Sequence, residues 1–373
     1  MTRPAPSRAG ALALSALWIA SAGSLAACRQ RPLVRIAVAA PSSGPLAADG
    51  LGLKRAVELA ASEAGSCEDY PLRLEVVAFD DRGDPEQAAR LARDISADPA
   101  VIAVVGHLTS GCSIAAAQVY AEAGLAMLTP SATSPEVTLQ QTRTGWSGPR
   151  VAFRIPPSDA VLGGYAAQYA YGRLKLRRIA VIHDDTPYGR DLSEAFSRGF
   201  STQGGQALPG APAGWPGLRP DGAFYGGAYK GFGLLLKQAR AAGWRFPFIS
   251  GDGAKAPELF DIAGPAADGA YLAASGVPLE SLPSASDFAA RYLQRYAAAP
   301  RTFDHYAYEA GRILVECLRQ SGPDRAELLE ALRASRHSGM LGTIVFDSKG
   351  DTLKSLATMT QADAAKKTFV PLY

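Results

Sequence analysis

The sequence predicts an α/β protein made of two units, each with a parallel central sheet. Apolar runs rich in branched residues alternate with segments of helical period, and this alternation starts again near Asp159. The chain has 373 residues, of which 47% are hydrophobic, so by size it can form two domains. Strands separated by helices pair in parallel, and helices then cover both faces of the sheet.

In the first unit, strands and helices alternate in clear order. The strands are expected at 33–40, 72–80, 101–106 and 125–130, and the helices at 49–65, 85–95 and 113–124. Asp49 is predicted to cap the first helix and Gly65 to end it. Asp84 and Pro85 start the next helix as a cap and a first-turn proline.

The second unit repeats the pattern up to a further strand. Helices are expected at 159–174, 188–203 and 231–243, and strands at 177–184, 223–227, 246–253 and 269–276. Three more helices (284–299, 305–320 and 324–335) and the segment 343–351 are expected to return to the first unit. Between Gly204 and Gly222, four prolines and the lack of a helical period predict extended chain, with Trp215 covering the sheet.

The N-terminal residues have the order of a secretion signal. Arg3 and Arg8 precede an apolar run at 9–20, which is too short for a permanent membrane span of about 20 residues. Leu-Ala-Ala-Cys at 25–28 resembles a bacterial lipobox, which implies that 1–27 is removed and that Cys28 carries a lipid. The alternative is an ordinary signal peptide near a buried cysteine. If Cys28 carries the lipid, residues 28–32 form a tether with a reach of at most about 15 Å from Cys28 to the first strand.

Charge and cysteine content exclude some functions. The net charge of +3 includes two arginines of the signal, so neither a nucleic acid nor an acidic lipid is indicated as a partner. Cys67, Cys112 and Cys317 have no short spacing typical of zinc, and no metal is predicted. A Cys67–Cys112 disulfide is not expected, because the two residues fall at opposite ends of their helices.

Three loops follow predicted strands at the sheet edge where ligands bind in open parallel sheets. They span 106–111, 129–136 and 250–253. The hydroxyl of Ser110 and the backbone N–H groups of the first loop suit a carboxylate, and Asp252 in the third loop suits an ammonium group. Ser110 and Thr133 also fit the simpler interpretation of helix caps, and Asp252 that of a turn residue.

Segments across nearly the whole chain after the signal resemble the leucine/isoleucine/valine-binding proteins of bacterial ABC transporters. The specific ones are VVGHLTSGCS and MLTPSATSPE, and IAVIHDDTPYGRDL is among the others that match in order. The resemblance implies a type I periplasmic-binding fold, in which two Rossmann-like lobes joined by three crossovers close over an amino acid. It places 33–156 with 275–350 in one lobe and 157–274 with 351–373 in the other. It also implies a monomeric periplasmic receptor without cofactor or enzymatic activity, which serves an ABC permease.

The resemblance also implies the ligand contacts. Ser110 and Thr133 would bind the α-carboxylate, and the carbonyl of Ser131 and the carboxylate of Asp252 would bind the α-ammonium. The remaining predicted ligand-binding residues are Leu108, Tyr188, Asp49 and Tyr229.

The chain departs from the family at four places. Asp49 stands where an aromatic residue is common, Ala228 precedes Tyr229 where the tyrosine is expected, and Asp252 replaces the usual glutamate. A free Asp49 in the pocket would favour a polar or cationic ligand side chain, so the amino acid is not identified. Between Gly204 and Gly222 the family has a strand, a full helix and another strand.

Two other functions are weighed. A hydrolase would use His107 with Ser110, or His183 with Asp184 and Asp185, but the chain has no Gly-x-Ser-x-Gly turn, and no orienting acid is evident near His107. A dinucleotide enzyme is disfavoured, because the first loop reads PSSGP rather than G-x-G-x-x-G. A lipid-anchored regulator of cell-wall synthesis with the same fold is the alternative. For both the receptor and the regulator, the sequence leaves open whether the lipid anchor is in the inner or the outer membrane.

Overall fold

The computed structural model describes residues 1–2, 31–354 and 356–372. The predicted signal sequence and Cys28 lie outside the described residues. Within the described part of the chain, no helix combines the length and apolar character needed to cross a membrane.

The first sheet has five strands, which are all parallel, in the order β2-β1-β3-β4-β5. Its strands and the helices between them are β1 (Leu33–Ala40), α1 (Ala47–Gly65), β2 (Arg73–Asp80), α2 (Pro85–Ala97), β3 (Val101–Gly106), α3 (Ser110–Glu122), β4 (Ala126–Thr129), α4 (Glu136–Leu139) and β5 (Ala152–Arg154). β3 and β4 are buried along their whole length, as expected of strands covered on both faces.

The second sheet has seven strands, in the order β14-β13-β10-β9-β8-β6-β7. In chain order, its strands and helices up to β10 are α5 (Asp159–Gln168), β6 (Arg178–His183), α6 (Pro187–Thr202), β7 (Gln206–Pro209), α7 (Trp215–Leu218), β8 (Gly222–Gly226), α8 (Tyr229–Ala241), β9 (Phe248–Ser250), α9 (Glu258–Ala263) and β10 (Tyr271–Ser275). β6 to β10 pair in parallel.

The C-terminal part of the chain contributes to both sheets. Its elements are α10 (Ser286–Tyr296), α11 (Asp304–Ser321), α12 (Arg325–Ala334), β11 (His337–Gly339), β12 (Gly342–Ile344), β13 (Ala357–Asp363) and β14 (Thr368–Leu372). α10, α11 and α12 pack on the core of the first sheet. β13 and β14 join the second sheet antiparallel, which the sequence pattern did not indicate.

We call the first sheet with its packed helices the first lobe, and the second sheet with its helices the second lobe. The chain passes between the two sheets after β5, after β10 and before β13. The predicted α/β class, with two sheet-centred lobes joined by three crossovers, is confirmed.

The proline-rich segment differs from the prediction of extended chain. β7 is a true strand that pairs in parallel with β6, and a 3₁₀ turn (Pro212–Gly214) followed by α7 makes the crossover. The indole of Trp215 is fully buried against Trp244, Phe246 and Phe248, with ring centroids 5.3 to 6.1 Å apart, and its Nε1 donates to the Gly210 carbonyl. The Trp215 side chain therefore covers this face of the second sheet, as predicted.

The cysteines lie as expected from their helices. Cys112 is in the first turn of α3, and Cys67 follows the end of α1. Cys67 is exposed, Cys112 and Cys317 are buried, and none of these three described cysteines forms a disulfide.

Candidate ligand-binding cleft

A cavity of about 260 Å³ lies between the two lobes, at the carboxyl ends of their parallel strands. The first lobe contributes the loops after β1, β2, β3 and β4, and the second lobe the loops after β6, β8 and β9. Six of the eight predicted ligand-binding residues line the cavity: Leu108, Ser110, Ser131, Asp49, Tyr188 and Asp252. Thr133 and Tyr229 do not belong to the lining.

One end of the cavity is formed by the N-terminal turn of α3. Thr109 rather than Ser110 caps this helix, because its hydroxyl accepts from the Cys112 N–H at 3.4 Å. The Oγ of Ser110 accepts from the Ser134 N–H at 3.2 Å, so its own O–H remains able to donate. First-turn N–H groups have no partner within their helix, and the helix dipole adds positive potential there. This end therefore suits a carboxylate.

Thr133 lies directly behind this end of the cavity. Its side chain is 1% exposed, and its hydroxyl lies beside the buried carboxyl of Asp159. It does not cap α4, which starts at Glu136 after Pro135, so the simpler interpretation of Thr133 is wrong. The Oγ of Ser131 donates to the Leu108 carbonyl at 2.8 Å and ties the loops after β3 and β4 together.

The second-lobe wall of the cavity carries acidic side chains. The Asp252 carboxylate is 2% exposed and accepts from the Tyr188 hydroxyl at 3.0 Å and from the Ser275 hydroxyl at 2.5 Å. Tyr188 in turn accepts from the Gly253 N–H at 3.0 Å, so it lines the cavity and also orients Asp252. Burial raises the pKa of Asp252, although these hydrogen bonds partly oppose the shift.

A second buried acid, which sequence reasoning missed, lies close to Asp252. Asp159 is fully buried in the first turn of α5, and its carboxyl lies beside the side chain of Thr133, which opposes part of the rise of its pKa. Its backbone N–H donates to the Thr133 carbonyl at 2.8 Å. Burial first, and then the charge of Asp252, raise the pKa of Asp159 well above its usual value. An ammonium group near this pair would favour the ionised form of both acids.

Asp49 is neither a helix cap nor a free acid. α1 begins at Ala47, and the Asp49 carboxylate accepts from the Arg301 guanidinium at 2.6 Å. Arg301 also pairs at 2.8 Å with Glu258 of the second lobe. Burial raises the pKa of Asp49, and Arg301 offsets part of that shift. The prediction that Asp49 caps α1 is therefore wrong, and its charge is balanced by the arginine.

Tyr229 bridges the lobes beside the cavity. Its hydroxyl donates to the Pro45 carbonyl at 2.6 Å. The donor of Tyr229, which was predicted to bind the ligand, is therefore already used. The Ser134 hydroxyl also donates to Asp191 on α6, across the same gap. Together with Arg301–Glu258, these contacts join the lobes around the cavity.

The loop of Thr133 and Ser134 is held from behind by Arg154, at the end of β5. This arginine is 1% exposed and donates to the carbonyls of Thr133 at 3.0 Å and Ser134 at 2.5 Å. It also donates to Asp351 at 2.5 Å, near the last crossover. Arg154 therefore positions the loop through the carbonyls of Thr133 and Ser134.

The histidines weighed for hydrolysis are otherwise engaged. An acid does lie beside His107, contrary to the expectation, since Nδ1 is 2.6 Å from Asp81. However, Nε2 is 3.1 Å from the Tyr120 hydroxyl, and the ring is fully buried outside the cavity lining. His183 ends β6 and pairs with exposed Asp185. In the described part of the chain, no group of three or more His, Cys, Asp or Glu residues is placed to hold a metal ion.

The residues missed by sequence reasoning carried weak signals. Asp159 looked like an ordinary helix-starting residue, and Ser275 was simply the end of an apolar strand. Arg154 offered a clearer signal, because a charge within the short apolar run VAFRI must find buried partners.

Comparisons with known proteins agree with this geometry. The model of the periplasmic binding protein family matches residues 33–215 and 217–367. A Leu/Ile/Val-binding protein homolog from Brucella suis is 30% identical over 337 residues, which is 85% of this chain and 87% of the relative.

Solved structures give the same result. A leucine-binding protein from Thermotoga maritima superposes with a TM-score of 0.82 at 27% identity, covering 91% of this chain and 98% of its own. An ABC transporter substrate-binding protein from Desulfitobacterium hafniense, in complex with Leu, superposes with a TM-score of 0.74 at 26% identity, covering 91% and 99%. The chain therefore belongs to the leucine/isoleucine/valine-binding proteins of the periplasmic binding protein family.

Proposed function

We propose that this protein is a lipid-anchored receptor outside the cytoplasm, which captures an amino acid or similar small zwitterion by cleft closure and delivers it to an ABC permease. The observation that carries the proposal is the polarity of the cavity. Hydroxyl and N–H donors of the first lobe and the buried carboxylate of Asp252 in the second lobe line the same cavity, and Asp159 lies near Asp252 behind the wall. Charge-assisted hydrogen bonds in a closed cleft of low polarity are strong and directional.

The cavity lining supports a ligand that carries its own positive charge. Among its described residues are the carboxyls of Asp49, Asp184 and Asp252, and it includes no Lys, Arg or His. Asp49 is balanced by Arg301, and Asp184 accepts from the N–H groups of Thr186 at 3.1 Å and Ala228 at 3.2 Å. The α-ammonium of the ligand would therefore be the cation that meets Asp252.

The lining also indicates the kind of ligand side chain. The lining has an apolar part, made of Leu46, Pro85, Leu108 and Phe303. Because the Asp49 carboxylate accepts from Arg301, it is not a free acid for a cationic ligand side chain. We therefore favour an amino acid with an apolar side chain.

Thermal unfolding with each of the twenty amino acids in turn tests this function. A ligand at a hundred times its dissociation constant should add about 2.7 kcal/mol to the free energy of unfolding. Ser110→Ala should reduce that gain, whereas Ser338→Ala, at an exposed serine of β11, should leave it unchanged. If no amino acid raises the melting temperature, and Ser110→Ala changes nothing, the lipid-anchored regulator becomes the better proposal.

The anchor is tested separately from the ligand. We expect the native chain in the membrane fraction of an expressing bacterium and Cys28→Ser in the soluble periplasmic fraction, because the lipid on Cys28 would be the attachment. A Cys28→Ser chain that stays with the membrane would refute the anchor. Separation of inner from outer membranes then decides whether the receptor can reach a permease, since a reach of about 15 Å does not cross the periplasm.

A further inference from the structure

A second cavity, larger than the first, lies where the second crossover, after β10, and the start of β14 meet the loop before α11. Its volume is about 420 Å³. Much of its wall is apolar, including Pro257, Pro278, Leu279, Pro300 and Phe369. Phe303 lines both cavities, so the two lie back to back. The proposed function uses none of this second space.

His305 in the wall of this cavity is a buried polar side chain without a partner. It is 2% exposed, and neither Nδ1 nor Nε2 has a hydrogen-bond partner among the described residues. Burial, and then the charge of Lys255, lower the pKa of His305 to about 3, so the ring is neutral at neutral pH. A neutral imidazole carries one N–H donor. Leaving such a group unpaired in a protein interior is costly, which points to an acceptor from outside the chain.

Lys255 places a positive charge in the same wall. Its side chain is 9% exposed, and its ammonium donates to Glu280 at 3.2 Å and lies 5.5 Å from the ring centre of Phe369. Glu280 is 45% exposed, so it forms a solvated and weak ion pair. An ammonium has three donors, and one acceptor leaves capacity for another.

The charges around the cavity favour an anion. Lys255, Arg301 and Lys367 line it against the single carboxylate of Glu280, within the described part of the chain. Arg301 is already paired with Asp49 and Glu258, and Lys367 with Asp261 at the surface. Lys255 therefore supplies the principal charge that a bound anion would meet.

We infer that the second cavity binds a small organic carboxylate with an apolar body. The carboxylate would accept from the Lys255 ammonium and the His305 N–H, and the apolar body would pack against Leu279, Phe303 and Phe369. Charge-assisted hydrogen bonds in a partly buried site, with an apolar wall beside them, match the usual composition of small-molecule sites.

Nuclear magnetic resonance of the full-length chain, labelled with ¹⁵N-histidine, tests this inference. The chain has four histidines, so loss of one ring signal in His305→Phe assigns the resonance. Sodium hexanoate should shift the His305 ring signal in a saturable way, and 1-hexanol, the matched neutral probe, should not. Equal shifts with both probes, or none with hexanoate, would overturn the inference.

Two variants check which cavity and which charge are involved. Lys255→Met should weaken hexanoate binding at least about tenfold, since it removes a charge-assisted hydrogen bond, whereas Lys237→Met, at an exposed lysine of α8, should leave it unchanged. Ser110→Ala should also leave hexanoate binding unchanged. Loss of binding in Ser110→Ala would place hexanoate in the first cavity and refute the second site. If Lys255→Met does not fold, the comparison of hexanoate with 1-hexanol on the unchanged chain still decides.

Discussion

Asp252→Asn is expected to lower the affinity for the amino acid ligand about a hundred- to a thousandfold, which corresponds to about 3–4 kcal/mol. The substitution keeps the shape of the side chain but removes the charge that the α-ammonium would meet in a buried site. The Tyr188 hydroxyl can still donate to the amide oxygen, so the fold should persist. Isothermal titration with the amino acid found by thermal unfolding measures the change.

The control for this substitution is Asp94→Asn. Asp94 is exposed on α2, and its charge is outside the cavity lining. The Asp94→Asn variant should bind the ligand with the same affinity as the unchanged chain. An Asp252→Asn protein that folds and retains affinity within about threefold would exclude the ammonium contact as the main source of affinity.

The buried carboxyls of Asp252 and Asp159 predict that ligand affinity depends on pH. Burial raises the pKa of both Asp252 and Asp159, so each takes up a proton at a higher pH than an ordinary aspartate of pKa about 3.9. Ligand binding needs the ionised form, and affinity should therefore fall as the pH decreases from neutral, before ordinary carboxylates titrate. Asp252→Asn removes one of the two groups and should flatten this slope. Affinity that stays constant between about pH 7 and pH 4 would contradict the assignment.

Arg154→Met is expected to lower the free energy of unfolding by about 3–5 kcal/mol. The guanidinium is buried, and its loss leaves Asp351 with only the half-exposed Lys349 at 3.5 Å as a cationic partner and the carbonyls of Thr133 and Ser134 without their donors. The loop that carries Thr133 would also lose its support, so ligand affinity should fall in parallel. Urea unfolding with an unchanged m-value measures the stability term.

Two companions make this result specific. Arg198→Met, at an exposed arginine paired with Glu194 on α6, should change stability by less than about 1 kcal/mol. Adding Asp351→Asn to Arg154→Met should restore part of the loss, because the carboxylate that lost Arg154 would be gone. If Arg154→Met is no less stable than Arg198→Met, the guanidinium does not hold the loop.

The order of strands and helices could be predicted from local patterns. Apolar runs and caps such as Asp84 with Pro85 depend on neighbours in sequence, and the structure has these elements within a few residues of their expected bounds. β7 was missed because its residues Gln206–Pro209 are mostly half-buried or exposed and end in proline. β13 was missed because its place in the second sheet depends on pairing with β10, more than 80 residues earlier, and β14 at the edge pairs only with β13.

By itself, the sequence determined the α/β class, the two-lobe family and the loops that meet at the cleft, because strand ends and family motifs are local features. Only the tertiary structure decided which charges remain available there. Arg301, 252 positions from Asp49, pairs with that acid. Asp159 lies near Asp252 although it starts α5, whereas Asp252 follows β9. Burial and pairing between distant segments set the charge of these groups, and no local pattern records which partner a side chain will meet.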